Sequence, residues 1–320
     1  VEFMAYAVVF PGQGAQETGM GKDLCATFPS ARSVFEKADE SLGFNLSKII
    51  FEGPEAELQK TAFTQPAILT MSIAVYRSLT IDMGLTLSPM YMAGHSLGEY
   101  TALVASGALS LEEGVRLVHL RGSLMQEAVP LGEGTMAAIL GLGSEEVVSI
   151  CREVSGEKSC QAANFNSPVQ TVISGHTEAV ENAIELAREK GARRAVMLKV
   201  SAPFHSQLLE PVAPKLCEAA RKCSWSEPLC PIIANYSAKP VSGREEIITA
   251  LSQQTFMPVL WSDTVHFMEK QGISTFIEIG PGKVLSGLIR KTVKGARVLS
   301  VPDGGSLEQV GTFLEEGENR

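Results

Sequence analysis

A serine acts as a nucleophile when the chain holds its hydroxyl exposed on a strained turn beside a base. The run Gly94-His95-Ser96-Leu97-Gly98 has the spacing for such a turn. In a G-x-S-x-G pattern the serine sits between a strand and a helix, and the flanking glycines remove side chains that would collide there. The helix that follows aims its free N–H groups and positive dipole end at the hydroxyl, with the Leu97 N–H as first donor. An acyl group attacked by Ser96 would leave its oxyanion at that end. Five residues of this kind match often by chance, so the case depends on what else the chain supplies.

A serine hydroxyl needs a positioned base at neutral pH, and the chain has five histidines. His95 precedes Ser96 on the turn and is expected to project away from it. His119 falls on the polar side of a helix, His176 at a helix entry and His266 in an amphipathic run, all suited to surface or capping roles. His205 lies in the non-helical stretch Ser201-Ala202-Pro203-Phe204-His205 and is the candidate base by elimination. No aspartate occurs between Ser96 and His205. The third member of a hydrolase triad in the order Ser, Asp or Glu, His would therefore be a glutamate. The simpler arrangement is a Ser/His dyad whose imidazole Nδ1–H is held by a neutral acceptor such as a main-chain carbonyl.

Arg121 is the third chemical signal. Ser110 and Glu113 form a capping-box pattern that opens a helix to about residue 129. At about 100° per residue, Leu111, Val115, Leu117, Val118, Leu124 and Met125 share one apolar arc. Arg121 falls inside that arc. A guanidinium there stays charged and requires an anionic partner. The partner is either an internal Asp or Glu, or a carboxylate that arrives with the substrate and is gripped by two parallel N–H···O bonds.

These residues need a frame. Residues 5–10 read as a buried strand broken by Pro11-Gly12-Gln13-Gly14, and residues 90–93 as a second strand running into Gly94. Residues 97–106 have the small, apolar character of a buried helix. Between them and His205 the pattern changes to strand 136–142, a helix from Ser144, strands 160–165 and 169–174, helix 177–190 and strand 195–200. That βαββαβ order is ferredoxin-like. The expected architecture is α/β: a hydrolase-like main domain of residues 4–131 and 201–320 carrying the nucleophile, with a ferredoxin-like small subdomain, 132–200, inserted. The glycine-rich, acidic tail after Pro302 is expected to be loosely held.

Composition narrows the function. Acidic residues outnumber basic ones 36 to 27, giving a net charge of −9, so a nucleic-acid or anionic-membrane binder is not expected. Apolar runs fall far short of the roughly 20 residues that span a bilayer. Val1-Glu2-Phe3 ahead of Met4 reads as a cloning remnant with no signal segment after it, and a cytoplasmic location is expected. The six cysteines show no C-x-x-C pair or zinc spacing, and are read as reduced thiols with no metal site.

With these motifs assembled, the sequence resembles the malonyl-CoA:acyl carrier protein transacylases of fatty acid synthesis. The likeness runs from Phe10-Pro11-Gly12-Gln13-Gly14-Ala15-Gln16, through Gly94-His95-Ser96-Leu97-Gly98-Glu99, Arg121, Asn164-Phe165-Asn166-Ser167-Pro168 and Phe204-His205, to Glu278-Ile279-Gly280-Pro281-Gly282. The resemblance implies that Ser96 attacks the malonyl thioester of CoA and that His205 relays the proton. It further implies that the Gln13 and Leu97 N–H groups form the oxyanion hole and that Arg121 binds the malonyl carboxylate. Gln254 matches the position whose main-chain carbonyl orients the histidine. Met125, Asn166 and Val284 match pocket-lining positions.

Phe204 resembles malonyl-selective polyketide acyltransferase domains, where a bulky ring excludes a branching methyl. Other stand-alone members carry a smaller residue there, and core packing is the alternative role. The implied partners are malonyl-CoA and phosphopantetheinylated acyl carrier protein, with no cofactor and a monomeric enzyme. An acidic carrier protein calls for a basic face, and two clusters qualify: Arg188, Lys190, Arg193, Arg194 and Lys199, or Arg290, Lys291, Lys294 and Arg297.

Competing readings are a serine hydrolase or thioesterase, which needs Ser96 and a histidine but not Arg121, a polyketide-pathway acyltransferase, and a non-catalytic carrier-binding module. A nucleotide-binding reading of the loop from Gly12 fails, because neither G-x-G-x-x-G nor a Walker lysine is present.

Overall fold

The computed structural model describes residues 5–200 and 202–318. The three residues ahead of Met4 lie outside that range, as does Ser201 of the loop before His205. The strands are β1 (Tyr6–Phe10), β2 (Tyr91–Gly94), β3 (Gly134–Leu140), β4 (Cys160–Ser167), β5 (Gln170–His176), β6 (Arg194–Met197), β7 (Ile232–Ala234), β8 (Lys239–Val241), β9 (Thr275–Ile279) and β10 (Arg297–Val301).

Six of them form one sheet in the order β10-β9-β1-β2-β7-β8, parallel except for β8, which runs antiparallel to β7. Its central strand β1, Tyr-Ala-Val-Val-Phe, is buried at every position. A parallel sheet covered by helices on both faces selects such continuous apolar runs. Helix Thr61–Arg77 packs on one face and helices Trp261–Lys270 and Val284–Thr292 on the other, giving two hydrophobic clusters. Phe10 pairs with Gly94, so the segments that follow β1 and β2 emerge side by side at the carboxyl edge, where open α/β sheets bind ligands.

The second sheet is antiparallel, in the order β4-β5-β3-β6, with all its strands drawn from residues 134–197. Helices Ser144–Val154 and Thr177–Glu189 bury Val147, Ile150, Val180 and Ile184 against Ile139 and Ile173. This is the ferredoxin-like arrangement. It is tied to the main body by Phe165 N–H donating to the Val259 carbonyl at 2.9 Å and Val259 N–H to the Ala163 carbonyl at 2.8 Å.

Two sequence expectations need correction. The strand expected over 195–200 ends at Met197, and residues 198–200 leave the sheet to line the central cavity instead. The tail after Pro302 is held: it forms helix Glu308–Glu318, buries Val310 and Phe313, and sets Phe313 edge-on to Tyr6 of β1 at 5.6 Å. Glu308, Glu315 and Glu316 of that helix are exposed, and composition alone makes such a segment look like a loose tail. Among the described residues no helix is long and apolar enough to cross a membrane.

Candidate active site

The turn after β2 is shaped by close approach of backbone. A Cβ on Gly94 would stand 2.0 Å from the Gly98 carbonyl group, and one on Gly98 would stand 2.1 Å from the Phe10 carbonyl oxygen. A Cβ on Gly12 would lie 2.5 Å from the His95 carbonyl oxygen, so glycine also lets the Gln13 loop press against the turn. Ser96 itself has φ 51° and ψ −107°, a conformation that L-residues rarely adopt. It occupies the N-cap position of helix Leu97–Ala105 without capping it. Asn235 holds the strained turn: its Oδ1 accepts from Ser96 N–H and its Nδ2 donates to the Gly94 carbonyl, both at 2.7 Å.

His205 also has a positive φ, 56°, and is buried. Its Nδ1 donates to the main-chain carbonyl of Gln254 at 2.8 Å, and its Nε2 lies 2.7 Å from Ser96 Oγ. Gln254 is the last residue of helix Arg244–Gln254, so its carbonyl has no intrahelical partner and is available to the imidazole. A carbonyl can only accept, which puts the proton on Nδ1 and a lone pair on Nε2, facing the serine. Burial pushes the His205 pKa down to about 3, helped by the nearby Arg121 charge. The ring is neutral and ready to accept a proton.

The remaining histidines are away from Ser96 Oγ, though not all are on the surface. His95 turns from the serine, packs on Trp261 and bonds through Nε2 to Asn166 Oδ1 at 2.7 Å, and burial lowers its pKa. His119 lies against Phe44 and Phe63 and donates to the Ala62 carbonyl at 2.8 Å. His119 is structural, which the helical period alone could not distinguish from a surface position, and His95 borders the cavity with its ring turned to Asn166.

Arg121 projects from helix Leu111–Glu127 and is 1% exposed. Ser110 caps that helix by accepting from Glu113 N–H at 3.2 Å, as the capping pattern predicts. Gly122 lets the helix close on its neighbour, because a Cβ there would be 2.5 Å from the Thr61 carbonyl oxygen. The guanidinium donates from Nη1 to Gln65 Oε1 at 2.8 Å, and from Nη2 to Gln254 Oε1 at 2.9 Å and Ser96 Oγ at 3.0 Å. Its plane lies over the Tyr100 ring, 5.2 Å from the centroid, and Nε has no partner among the described residues. None of the ion pairs among those residues involves Arg121. A buried cation surrounded by neutral oxygens is costly unless an anion joins it.

Ser96, His205, Arg121, Gln13, Leu97 and Phe204 all line one cavity of about 400 Å³ between the two sheets. Leu97 is the first residue of its helix, so its N–H is one of the donors the helix cannot satisfy. Three of the residues expected on the pocket wall stand elsewhere. Met125 is buried behind Gln65, whose Nε2 lies 3.8 Å from its sulfur; Asn166 supports His95; and Val284 is 56% exposed, at the start of its helix. The cavity wall includes none of them.

A family model described as "Acyl transferase domain" matches residues 7–319. The chain belongs to the acyl transferase family. Among curated relatives of this family, the malonyl CoA-acyl carrier protein transacylase of Bacillus subtilis is 46% identical over 315 residues, covering 98% of both chains. That of Escherichia coli is 44% identical over 288 residues, covering 90% of this chain and 93% of the relative. Among solved structures, the acyl-carrier-protein-S-malonyltransferase of Bartonella henselae superposes with a TM-score of 0.95 at 46% identity, covering 98% of this chain and 100% of the other. A malonyl-transacylase in complex with a type II PKS acyl-carrier protein superposes at 0.92 with 43% identity, covering 95% and 98%.

The acyl transferase site contains residues that sequence reasoning missed. Asn235 and Gln65 hold Ser96 and Arg121, respectively. Glu99, 1% exposed, accepts at Oε2 from Asn235 N–H at 3.0 Å and from Gln254 Nε2 at 2.8 Å. A signal for Glu99 was present: it is the one charge in Leu-Gly-Glu-Tyr-Thr-Ala-Leu-Val-Ala, the same anomaly that singled out Arg121. Asn235 and Gln65 carry no such mark.

Proposed function

We propose that the chain transfers a malonyl group from malonyl-CoA to the phosphopantetheine thiol of acyl carrier protein through a malonyl-serine on Ser96. One observation carries this reading: a buried guanidinium with no carboxylate partner among the described residues stands 3.0 Å from the nucleophile. The names of the relatives support it.

In the first half-reaction His205 Nε2 takes the Ser96 proton while Oγ attacks the thioester carbonyl. The Gln13 and Leu97 N–H groups receive the oxyanion, and Arg121 grips the free carboxylate of the acyl group. The tetrahedral intermediate collapses, the C–S bond breaks, and His205 gives its Nε2 proton to the departing CoA thiolate. In the second half-reaction the carrier-protein thiol gives its proton to His205 and attacks the malonyl-serine. Ser96 Oγ leaves and recovers the proton. Only protein groups and the two substrates take part, so no cofactor is required, and the kinetics are ping-pong.

Phe204 on the cavity wall is suited to excluding a methyl branch on the acyl group. Lys199, which lines the cavity, and the exposed Arg193 and Arg194 suit an approaching acidic carrier protein. In the other cluster Arg297 is paired with Glu316 at 2.7 Å, which reduces its availability. We read the enzyme as a monomer, and a cytoplasmic location accords with these substrates.

The test is incubation with malonyl-CoA radiolabelled in the acyl group, peptide mapping of the label, and a chase with holo acyl carrier protein. Label on Ser96 that moves to the carrier protein is expected, and Ser96→Ala should remain unlabelled. Release chiefly as free malonate would identify a hydrolase instead.

A further inference from the structure

We infer that Glu99 is a positioning residue that sets the orientation of the Gln254 side-chain amide, and through it aims Arg121 at the acyl carboxylate. This rests on the proposed role of Arg121 and extends it to the layer behind the guanidinium.

A side-chain amide has a donor end and an acceptor end of nearly equal shape, so its neighbours decide which way it faces. Arg121 can only donate and therefore requires Gln254 Oε1. The opposite end, Nε2, donates to Glu99 Oε2 at 2.8 Å and to the Ser96 carbonyl at 2.9 Å. Glu99 Oε2 also accepts from Asn235 N–H, so it meets Gln254 as an acceptor, and together with the Ser96 carbonyl it locks the amide with its own carbonyl toward the guanidinium. The same Gln254 carries the main-chain carbonyl that orients His205. One residue thus connects the acid, the cation and the base.

The arrangement also explains how a cation can be buried and still be free to bind. Glu99 supplies negative charge within reach of Arg121, and attraction between the two opposes the burial that raises the Glu99 pKa to about 7. The Gln254 amide lies between them. A direct Glu–Arg pair would fill the planar N–H fork that a substrate carboxylate must use. Bridging the pair through a neutral amide keeps the counter-charge near the guanidinium and off its binding edge.

The experiment measures kcat/KM for malonyl-CoA and for acetyl-CoA in the wild type and in Glu99→Gln, Gln254→Leu, the double variant and Arg121→Ala. Thermal melting confirms that each variant is folded. Glutamine at 99 removes the charge and can present either end of its amide to Gln254, so it no longer fixes which way the Gln254 amide faces. Glu99→Gln is expected to lower the malonyl-to-acetyl ratio at least tenfold, and Gln254→Leu, which keeps the carbonyl for His205, to do the same. The double variant should lose little beyond either single one, because both act through one link.

Parallel losses for the two thioesters in a folded Glu99→Gln would overturn the inference, since a purely structural role affects both. If that variant does not fold, Glu99→Asp decides: a lowered ratio supports the inference and an unchanged one rejects it. Arg121→Ala separates the two levels. An unchanged ratio in Arg121→Ala removes the carboxylate-binding reading itself, whereas a lowered ratio there with none at Glu99 removes only the role of Glu99.

Discussion

Arg121 Nη2 donates to Ser96 Oγ at 3.0 Å, so the cation proposed to bind the acyl carboxylate is also bonded to the nucleophile. Two consequences follow. The guanidinium favours the developing serine alkoxide, and its charge adds to the burial that lowers the His205 pKa and keeps the ring neutral. On acylation Oγ becomes an ester oxygen, a poorer acceptor, which would free the guanidinium for its proposed partner, the carboxylate two carbons farther along the acyl chain.

Arg121→Ala is therefore expected to reduce malonyl transfer about a hundredfold or more relative to acetyl transfer, the scale of losing a buried charge-assisted partner. Arg121→Lys should recover little, because an ammonium cannot replace a fork shared among Gln65, Gln254 and a carboxylate. Competition assays with the two thioesters measure both.

The pH dependence follows from His205. With its folded pKa near 3 against an unperturbed 6.5, the acid limb of kcat/KM for malonyl-CoA should lie well below pH 6. Between those two values the unfolded chain binds a proton at this site and the folded chain does not, so this residue's contribution to stability rises with pH. It is fully present above the unfolded value and is lost as pH falls toward 3. Urea unfolding at pH 4.5 and pH 7 should show a smaller difference in His205→Asn than in the wild type.

Glu99 works in the opposite direction. Its folded pKa of about 7 exceeds the ordinary 4.5, so its contribution is present below pH 4.5 and is lost as pH rises through 7. Glu99→Gln should reduce the loss of stability between pH 5 and pH 8, measured by the same unfolding method.

Gly94→Ala and Gly98→Ala each place a methyl group about 2 Å from backbone that cannot move aside. The expected cost exceeds the roughly 1–3 kcal/mol typical of overpacking. Soluble protein should be scarce, and any recovered should fail to label at Ser96. Gly14→Ala, where an added Cβ meets nothing within 4 Å but φ is 110°, should be milder. Circular dichroism melts rank the three.

Asn235→Ala removes the acceptor for Ser96 N–H and the donor to the Gly94 carbonyl. Leaving such groups unsatisfied costs about 1–3 kcal/mol each. A turn held at positive φ should relax, lowering kcat for both thioesters alike, and single-turnover acylation would register it. This parallel loss contrasts with the selective loss expected at Arg121.

Much of the frame was legible because its causes are local. β1 declares itself as an apolar run closed by Pro11-Gly12, and the β3–β6 unit by alternating periods and helix starts. β7, β9 and β10 did not, since short strands in a parallel sheet depend on neighbours far away in the chain. The tail helix was missed because Val310 and Phe313 are only two buried contacts amid glycine and acid.

The site divides in the same way. From sequence come the serine on its turn, the cation on an apolar helical arc and, by elimination, the histidine, because sterics and periodicity act over a few residues. Tertiary structure decides what each one touches. Asn235 is 139 positions from Ser96, and Gln254 is 133 from Arg121. No local rule pairs residues so far apart, and the choice of Gln65, Gln254 and Ser96 over an Asp or Glu as partners of Arg121 emerges only when packing brings their oxygens around one buried guanidinium.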